Sequence, residues 1–486
     1  MARPAVQTVP GRGPFERGLL VVCGLALLAW LALLPRVLTR LDPLTGDEPY
    51  YVMTAISLLQ DGDLDESNNY AQRDYEQFYP PDPLPPGWQG WPSFPRELPP
   101  HPAHSRLPGF HTKHGLGLSL LIALPWAAAG RLGAVLVPLS CGVLLAGQTF
   151  LLARESGARP GIAGVVALGL ALAMPVGPYA LLLFPEMPAA LCLIYAVRRL
   201  AAPANRPWQW LLAGGAIGFL PWLHQRFVFT AAVLGVVALG RWLRARPRWP
   251  VTLAIAPALA GGLALLGYNL WLYGVPWQRT ADHAGFNGLA GALNGAAGLL
   301  LDAQWGLWVV APVTILAVAA LPWWLEAERR SFWIALAAVA PYLALMAAYK
   351  VWWGEWGPPA RYLVPVVPLV AAPLGAWLAH ARWPGWLATA LLWGWGAMLT
   401  AIGYLDPQRF YHHPDGVNKL VGVVSGRLGV DLGRWLVPFQ PYAQSPLDER
   451  LLAALVAAVA LLLALLLVGS PEHHARSPGR PALKTP

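Results

Sequence analysis

Charge is the scarcest property of this chain. Only 12% of its 486 residues are Asp, Glu, Lys or Arg, about half the share of an ordinary soluble domain. Acids are the rarer sign, 25 against 34 Lys and Arg. With 56% hydrophobic residues and a mean hydropathy of +0.46, a soluble globular fold is excluded. Cysteine is also sparse. Cys23, Cys141 and Cys192 all lie in apolar runs without a CxxC partner, so no disulfide framework is expected. The formal charge of +9 comes with no dense basic stretch interleaved with aromatics, and nucleic acid is not expected as a partner.

Long apolar runs take the place of charge. They lie near residues 18–38, 132–152, 161–182, 184–198, 208–223, 226–240, 250–272, 305–324, 331–349, 361–379, 384–404 and 451–468. At about 20 apolar residues per crossing, these predict an all-α, polytopic membrane protein of about 12 transmembrane helices. Arg3, Arg12 and Arg17 precede the first run, which is longer than a signal core and lacks a small-residue cleavage site, so it reads as an uncleaved span. A further run, 115–129, is short and broken by Pro125. It reads as a juxtamembrane re-entrant or interfacial segment.

Sidedness follows from the short basic breaks. If 115–129 does not cross, those at 153–160, 198–207, 241–249, 325–330 and 380–383 all share the side of the basic N-terminus, as cytoplasmic loops should. The expected order is a cytoplasmic N-terminus (1–17), a transmembrane module (18–404) with a first extracytoplasmic loop at 39–131, a second such loop at 405–450, a last helix at 451–468 and a cytoplasmic tail at 469–486. Ten prolines between Pro80 and Pro102 argue for an extended, irregular first loop. Most of the 25 Trp residues, Trp208, Trp249 and Trp323 among them, fit an interfacial belt.

The few polar groups near outer span ends then carry the information, because each is costly if unpaired in hydrocarbon. Asp47-Glu48-Pro49-Tyr50-Tyr51 follows the first span: the carboxylate pair is either a solvated loop feature or a site where mutual repulsion tunes one group as a base. His101, His104, His111, Lys113 and His114 close the first loop, with three readings open: metal ligation, a solvated pH-responsive loop, or anion binding centred on Lys113. Glu186, between Pro185 and Pro188, is a local cap or a site carboxylate. His224 and Arg226 sit at one outer turn, where the arginine is a snorkelling anchor or a phosphate ligand. Lys350 to Tyr362 is a Gly- and Pro-rich turn holding Glu355, Arg361 and Tyr362, and Arg361 has the fork to grip a phosphate. All five sites fall on one side, as a single pocket would require.

This combination resembles the GT-C fold integral-membrane glycosyltransferases, the group of protein O-mannosyltransferases and aminoarabinose transferases. The likeness rests on Asp47-Glu48 with Pro-Tyr-Tyr after span one, Lys113 opening a non-crossing segment, the acid between spans three and four, and the turn ending in Arg361-Tyr362. It spans about residues 18 to 404. Relatives often follow the lysine with two prolines, where this chain has His114-Gly115. The resemblance implies an inverting transfer of a sugar from a polyprenyl-phosphate donor to a hydroxyl of a protein, lipid or polysaccharide acceptor. Asp47 and Glu48 would be catalytic, and Lys113, Arg226 and Arg361 would hold donor phosphate. Tyr50, His114, Glu186, His224, Glu355 and Tyr362 would line the pocket. No cofactor is expected, a divalent metal being compatible but not required. A transporter or lipid flippase is the competing class. A surface-polysaccharide polymerase or ligase is another, kept open by Asp406, Arg409, His412, His413 and Asp415 in the late loop.

The topology has a direct check. With the native cysteines replaced, a single cysteine at Ala245 should resist an impermeant thiol reagent added outside intact cells and react after permeabilisation. Labelling from outside would invert the assignment.

Overall fold

The computed structural model describes residues 17–41, 43–79, 97–278, 285–412 and 414–471. Among these the chain is helical, with no strand and only isolated bridges. Seven helices have the length and apolarity to cross a membrane: Arg17–Arg40, Leu116–Glu155, Gln225–Arg244, Trp249–Tyr273, Arg329–Ala348, Trp383–Leu405 and Leu447–Val468. Glu186–Ala201 and Pro207–Leu223 are slightly shorter and pack among them. The outer surfaces are rich in exposed leucine: Leu124 is 75% and Leu466 72% exposed, as expected of lipid-facing helices.

The 40-residue Leu116–Glu155 helix is two segments. Straight, it would run about 60 Å, twice the hydrocarbon thickness. Ala129 and Gly130 leave helical geometry, and Gly130 takes φ 54°, a conformation open to glycine at little cost. The chain doubles back so tightly that a Cβ on Gly133 would lie 1.9 Å from the Pro125 carbonyl oxygen. The first segment is thus too short to cross, in agreement with the juxtamembrane reading.

Three expected spans are not continuous helices. Run 161–182 is Pro160–Leu172 followed by a turn at Pro175 and Pro178. Run 305–324 splits into Leu307–Val310, Val313–Ala319 and Leu321–Ala327 at Pro312 and Pro322. Run 361–379 is 3₁₀ turns and then Ala371–Leu378, broken by Pro365 and Pro368. Proline removes a helical donor and clashes with the preceding turn. The breaks at Pro175, Pro178, Pro365 and Pro368 are buried inside protein, where irregular backbone finds partners, whereas Leu321 and Pro322 are exposed.

The described part of the first loop holds regular structure. Glu48–Gln60 is a helix of 13 residues, tied to the juxtamembrane segment by Ser119 Oγ, which donates to the Tyr51 carbonyl at 2.9 Å. Most of the proline run lies outside the described residues. The 273–304 stretch adds helix Leu289–Leu301, and the late loop adds Lys419–Leu428.

Helix Glu186–Ala201 shows the polarity of the bundle. Its C-terminal Arg198 and Arg199 grip Glu155, beside Arg241 bonded to the Leu200 and Ala202 carbonyls. Its N-terminal Glu186 lies about 18 Å away along the axis, where the other polar groups meet.

Candidate functional site

Four side chains of alternating sign join at that opposite end. Arg226 Nη2 lies 2.6 Å from Glu186 Oε1, and Arg361 Nε donates to the same oxygen at 2.8 Å. Arg361 Nη2 reaches Asp47 Oδ2 at 2.6 Å. The order Arg226, Glu186, Arg361, Asp47 sums to zero charge, which is the condition for burying ions without severe desolvation loss. Aromatic faces complete the insulation: the Arg361 guanidinium sits 4.4 Å over Phe184 and that of Arg226 4.7 Å over Tyr362.

Asp47 is the member of this row that reaches the surface. Its side chain is 24% exposed, against 5% for Arg361, 4% for Arg226 and 0% for Glu186. Burial alone would raise its proton affinity. The Arg361 guanidinium, with smaller contributions from His114 and His101, outweighs burial and holds the carboxyl well below the usual range. Burial depresses both histidines, His101 to about 3 and His114 to about 4. Both are therefore neutral near pH 7, and Arg361 is the cation that keeps Asp47 ionised.

Local backbone explains how the pair meets. Asp47 occupies the N-cap of helix Glu48–Gln60 but makes no capping bond with its side chain, which turns to Arg361 instead. Gly46 has φ 64°, and a Cβ there would lie 2.3 Å from the Trp356 carbonyl oxygen. Glycine is what lets the 43–47 and 350–361 turns touch. Across from it, Gly354, Trp356 and Ala360 all have positive φ. For Trp356 and Ala360 this is strain that surrounding contacts must hold.

Glu48 diverges from its neighbour. Oε1 accepts from the Leu183 amide at 2.7 Å, Oε2 accepts from the Tyr411 hydroxyl, and the residue is 2% exposed. Burial raises its proton affinity more than these bonds lower it. The adjacent carboxylates are thus driven apart, Asp47 down and Glu48 up.

The remaining expected residues fall around this row. Tyr50 stacks on His101 with centroids 3.8 Å apart and on His114 at 5.1 Å, and His101 Nδ1 lies 3.3 Å from His114 Nε2. His224 Nδ1 accepts from the Arg226 amide at 3.2 Å. Lys113 is half-buried, its amide donating to the His101 carbonyl at 2.9 Å. Among the described residues its ammonium is in no ion pair. Glu355 accepts from Trp353 Nε1 at 3.1 Å, a bond within its own turn. His111 lies toward Asp65, away from Asp47's partners, and His413 is outside the described residues. Among the described residues no group of three or more His, Cys, Asp or Glu is arranged to hold a metal.

Gly115 and Gly117 permit a close approach of two turns. A Cβ on Gly115 would lie 2.3 Å from the Leu223 carbonyl oxygen, so the start of the juxtamembrane segment can lie directly against the turn bearing His224 and Arg226.

Sequence reading missed Tyr411, the partner of Glu48. It sits in the late loop next to His412, which the sequence did single out, but no motif marks Tyr411 itself. Sequence reading also missed Glu66, 3% exposed, which accepts from Thr54 Oγ1 at 2.6 Å and is raised by burial to about 8. Nothing in the local sequence separates Glu66 from the solvated acids beside it.

No family model and no curated protein matches the chain. Among solved structures it is similar to ArnT from Cupriavidus metallidurans bound to undecaprenyl phosphate, at 13% identity and TM-score 0.47, over 95% of this chain and 80% of that one. The apo form of ArnT gives TM-score 0.43. An archaeal oligosaccharyltransferase, AglB from Archaeoglobus fulgidus in complex with an inhibitory peptide and a dolichol-phosphate, gives 13% identity and TM-score 0.40, with 55% of its own length covered. These neighbours are GT-C fold membrane glycosyltransferases. At such identity and TM-score they carry no weight for the chemistry, which rests on the side chains above.

Removing the hub tests the geometry. Glu186→Ala leaves two buried guanidiniums facing one carboxylate and should cost about 3–5 kcal/mol, read as reduced unfolding free energy in detergent. A neutral outcome would mean that the row is not buried as described.

Proposed function

We propose that the chain is a membrane glycosyltransferase. It moves a sugar from a polyprenyl-phosphate donor to an acceptor hydroxyl on the extracytoplasmic side, with inversion and with Asp47 as general base. The observation that supports this best is the exposure gradient along the row, in which three buried charges present one ionised carboxylate at the surface. The surrounding rings suit a polar ligand with apolar faces. Among the described residues Tyr51 Oη, Glu186 Oε2 and Arg226 Nε are buried without a hydrogen-bond partner, unspent capacity of the kind found at functional sites.

In this reading the acceptor hydroxyl donates to Asp47 as its oxygen attacks the anomeric carbon in line. The bond to the lipid phosphate breaks, and the proton passes to Asp47. The transition state has oxocarbenium character, so the hydroxyl proton can leave late and a weak base suffices. Negative charge grows on the departing phosphate, where Lys113 supplies an ammonium that is in no ion pair among the described residues and Arg361 and Arg226 add their field. A phosphate beside Arg361 also offsets part of the positive field on Asp47, which raises its proton affinity when the proton must be accepted. Glu48, with both oxygens engaged, acts as a positioning residue that anchors the first turn of its helix. The donor must be lipid-linked because nucleotide sugars are cytosolic and this site is assigned to the other face.

The competing transporter reading calls for polar groups along a path through the bilayer, whereas the buried array is gathered at one end of the bundle.

Two variants test the roles. Asp47→Asn should abolish transfer while leaving binding of polyprenyl phosphate intact. Lys113→Ala should weaken donor binding about tenfold, equivalent to about 1.4 kcal/mol, with a smaller effect on the acceptor KM. Full turnover by Asp47→Asn would overturn its role as base.

A further inference from the structure

A second buried acid lies outside the row. Asp302 ends helix Leu289–Leu301 and is 0% exposed. Its Oδ1 accepts from the Gln304 and Trp305 amides, both at 2.9 Å. Its Oδ2 accepts from the Phe439 amide at 2.6 Å and the Gln440 amide at 3.3 Å. One carboxylate thus joins the 302–305 turn to the end of the late loop, and the Ala303 amide adds a bond to the Val437 carbonyl at 3.0 Å. Gln304 extends the seam by donating to Asp415 Oδ1 at 2.9 Å and by accepting from the Gly416 amide at 3.2 Å.

The turn fixed in this way touches the site. Trp305, whose amide Asp302 holds, accepts through its carbonyl from the Ala360 amide at 3.1 Å. Ala360 has φ 59°, a conformation that a non-glycine residue keeps only when neighbours enforce it. The next residue is Arg361.

We infer that Asp302 is a positioning residue for Arg361: by seating the 302–305 turn against the late loop, it holds Ala360 in its left-handed conformation and so sets the reach of the Arg361 guanidinium to Asp47. This rests on the proposed role of Asp47. It gives the late loop a part in the chemistry although none of its described acids or histidines is placed at the reacting atoms. Misplacement of a catalytic group by about 1 Å can cost about 10²-fold in rate, so a remote carboxylate acting through three backbone groups has a measurable effect.

The test is the acid limb of the transfer rate in full-length protein. Asp47 is faced by Arg361 from the 350–362 turn, His101 and His114 from the first loop, and His224 from the 224–226 turn, with Glu48 on its own helix. Arg361 is the fixed cation among them at neutral pH, so its withdrawal moves the Asp47 limb upward. Asp302→Asn sets an NH₂ against two backbone amides and should detach one side of the seam. Expected are a fall in kcat of about 10²-fold, donor binding within about threefold of wild type, and a half-maximal rate displaced from below the usual carboxylate range to above about pH 4. A purely structural role for Asp302 lowers the amount of active protein and leaves the limb where it was. Gln304→Met cuts the bonds to Asp415, the Val417 carbonyl and the Gly416 amide while sparing Asp302, and should shift the limb in the same direction by less. If Asp302→Asn does not fold, the Gln304 variant decides. An unmoved limb in the folded variants overturns the inference, whereas full turnover by Asp47→Asn overturns the reading beneath it.

Discussion

Four linked charges, three of them buried and the fourth at the surface, must cancel, and the rest of the site follows from that need. An isolated ion at low dielectric costs several kcal/mol. Arg226, Glu186, Arg361 and Asp47 avoid that by alternating in sign, each interior member touching two of opposite charge. The row also conducts position. Glu186 fixes both guanidiniums, Arg361 fixes Asp47, and Asp47 alone emerges to half-wet surroundings. Ionisation of the surface carboxylate is thereby set by residues that never meet solvent.

Backbone irregularity is the means by which those side chains come together. The elements that carry them are short turns at 43–47, 183–186, 224–226 and 350–361. Gly46 and Gly115 permit backbone-to-backbone contact where a Cβ would overlap a carbonyl oxygen. In a membrane such backbone survives only when sheltered by protein. The aromatic rings over Arg226 and Arg361, the Asp302 seam and the Tyr411 bond to Glu48 provide that shelter. The late loop therefore reaches the site through the Tyr411 bond to Glu48 and the amides that hold Asp302.

Much of this was legible from the residues. Apolar runs located the long helices because bilayer thickness sets their length, and Pro125 marked the segment that turns back at Gly130. Counting crossings with the positive-inside rule put Asp47, Glu186, Arg226 and Arg361 on one side, and the four side chains do meet. Pairing was not legible. Nothing in a one-dimensional pattern says that Glu186 will take both arginines, so Arg226 and Arg361 looked like free phosphate ligands when each is already matched to a carboxylate. The continuity of runs 161–182, 305–324 and 361–379 was likewise overstated, since hydropathy counts apolar residues and is blind to the missing amide of a proline. Asp302 and Tyr411 gave no periodic or motif signal; their importance lies in hydrogen bonds between segments more than 130 residues apart.

The central claim is that this buried row serves glycosyl transfer from a lipid phosphate. The most direct measurement is acceptor-dependent release of polyprenyl phosphate by the purified wild-type protein, across a panel of polyprenyl-phosphate sugars, with the anomeric configuration of the product determined by NMR. The account predicts one lipid phosphate released per glycosylated acceptor, with inversion at the anomeric carbon. Absence of turnover on every donor, or a product of retained configuration, would contradict it.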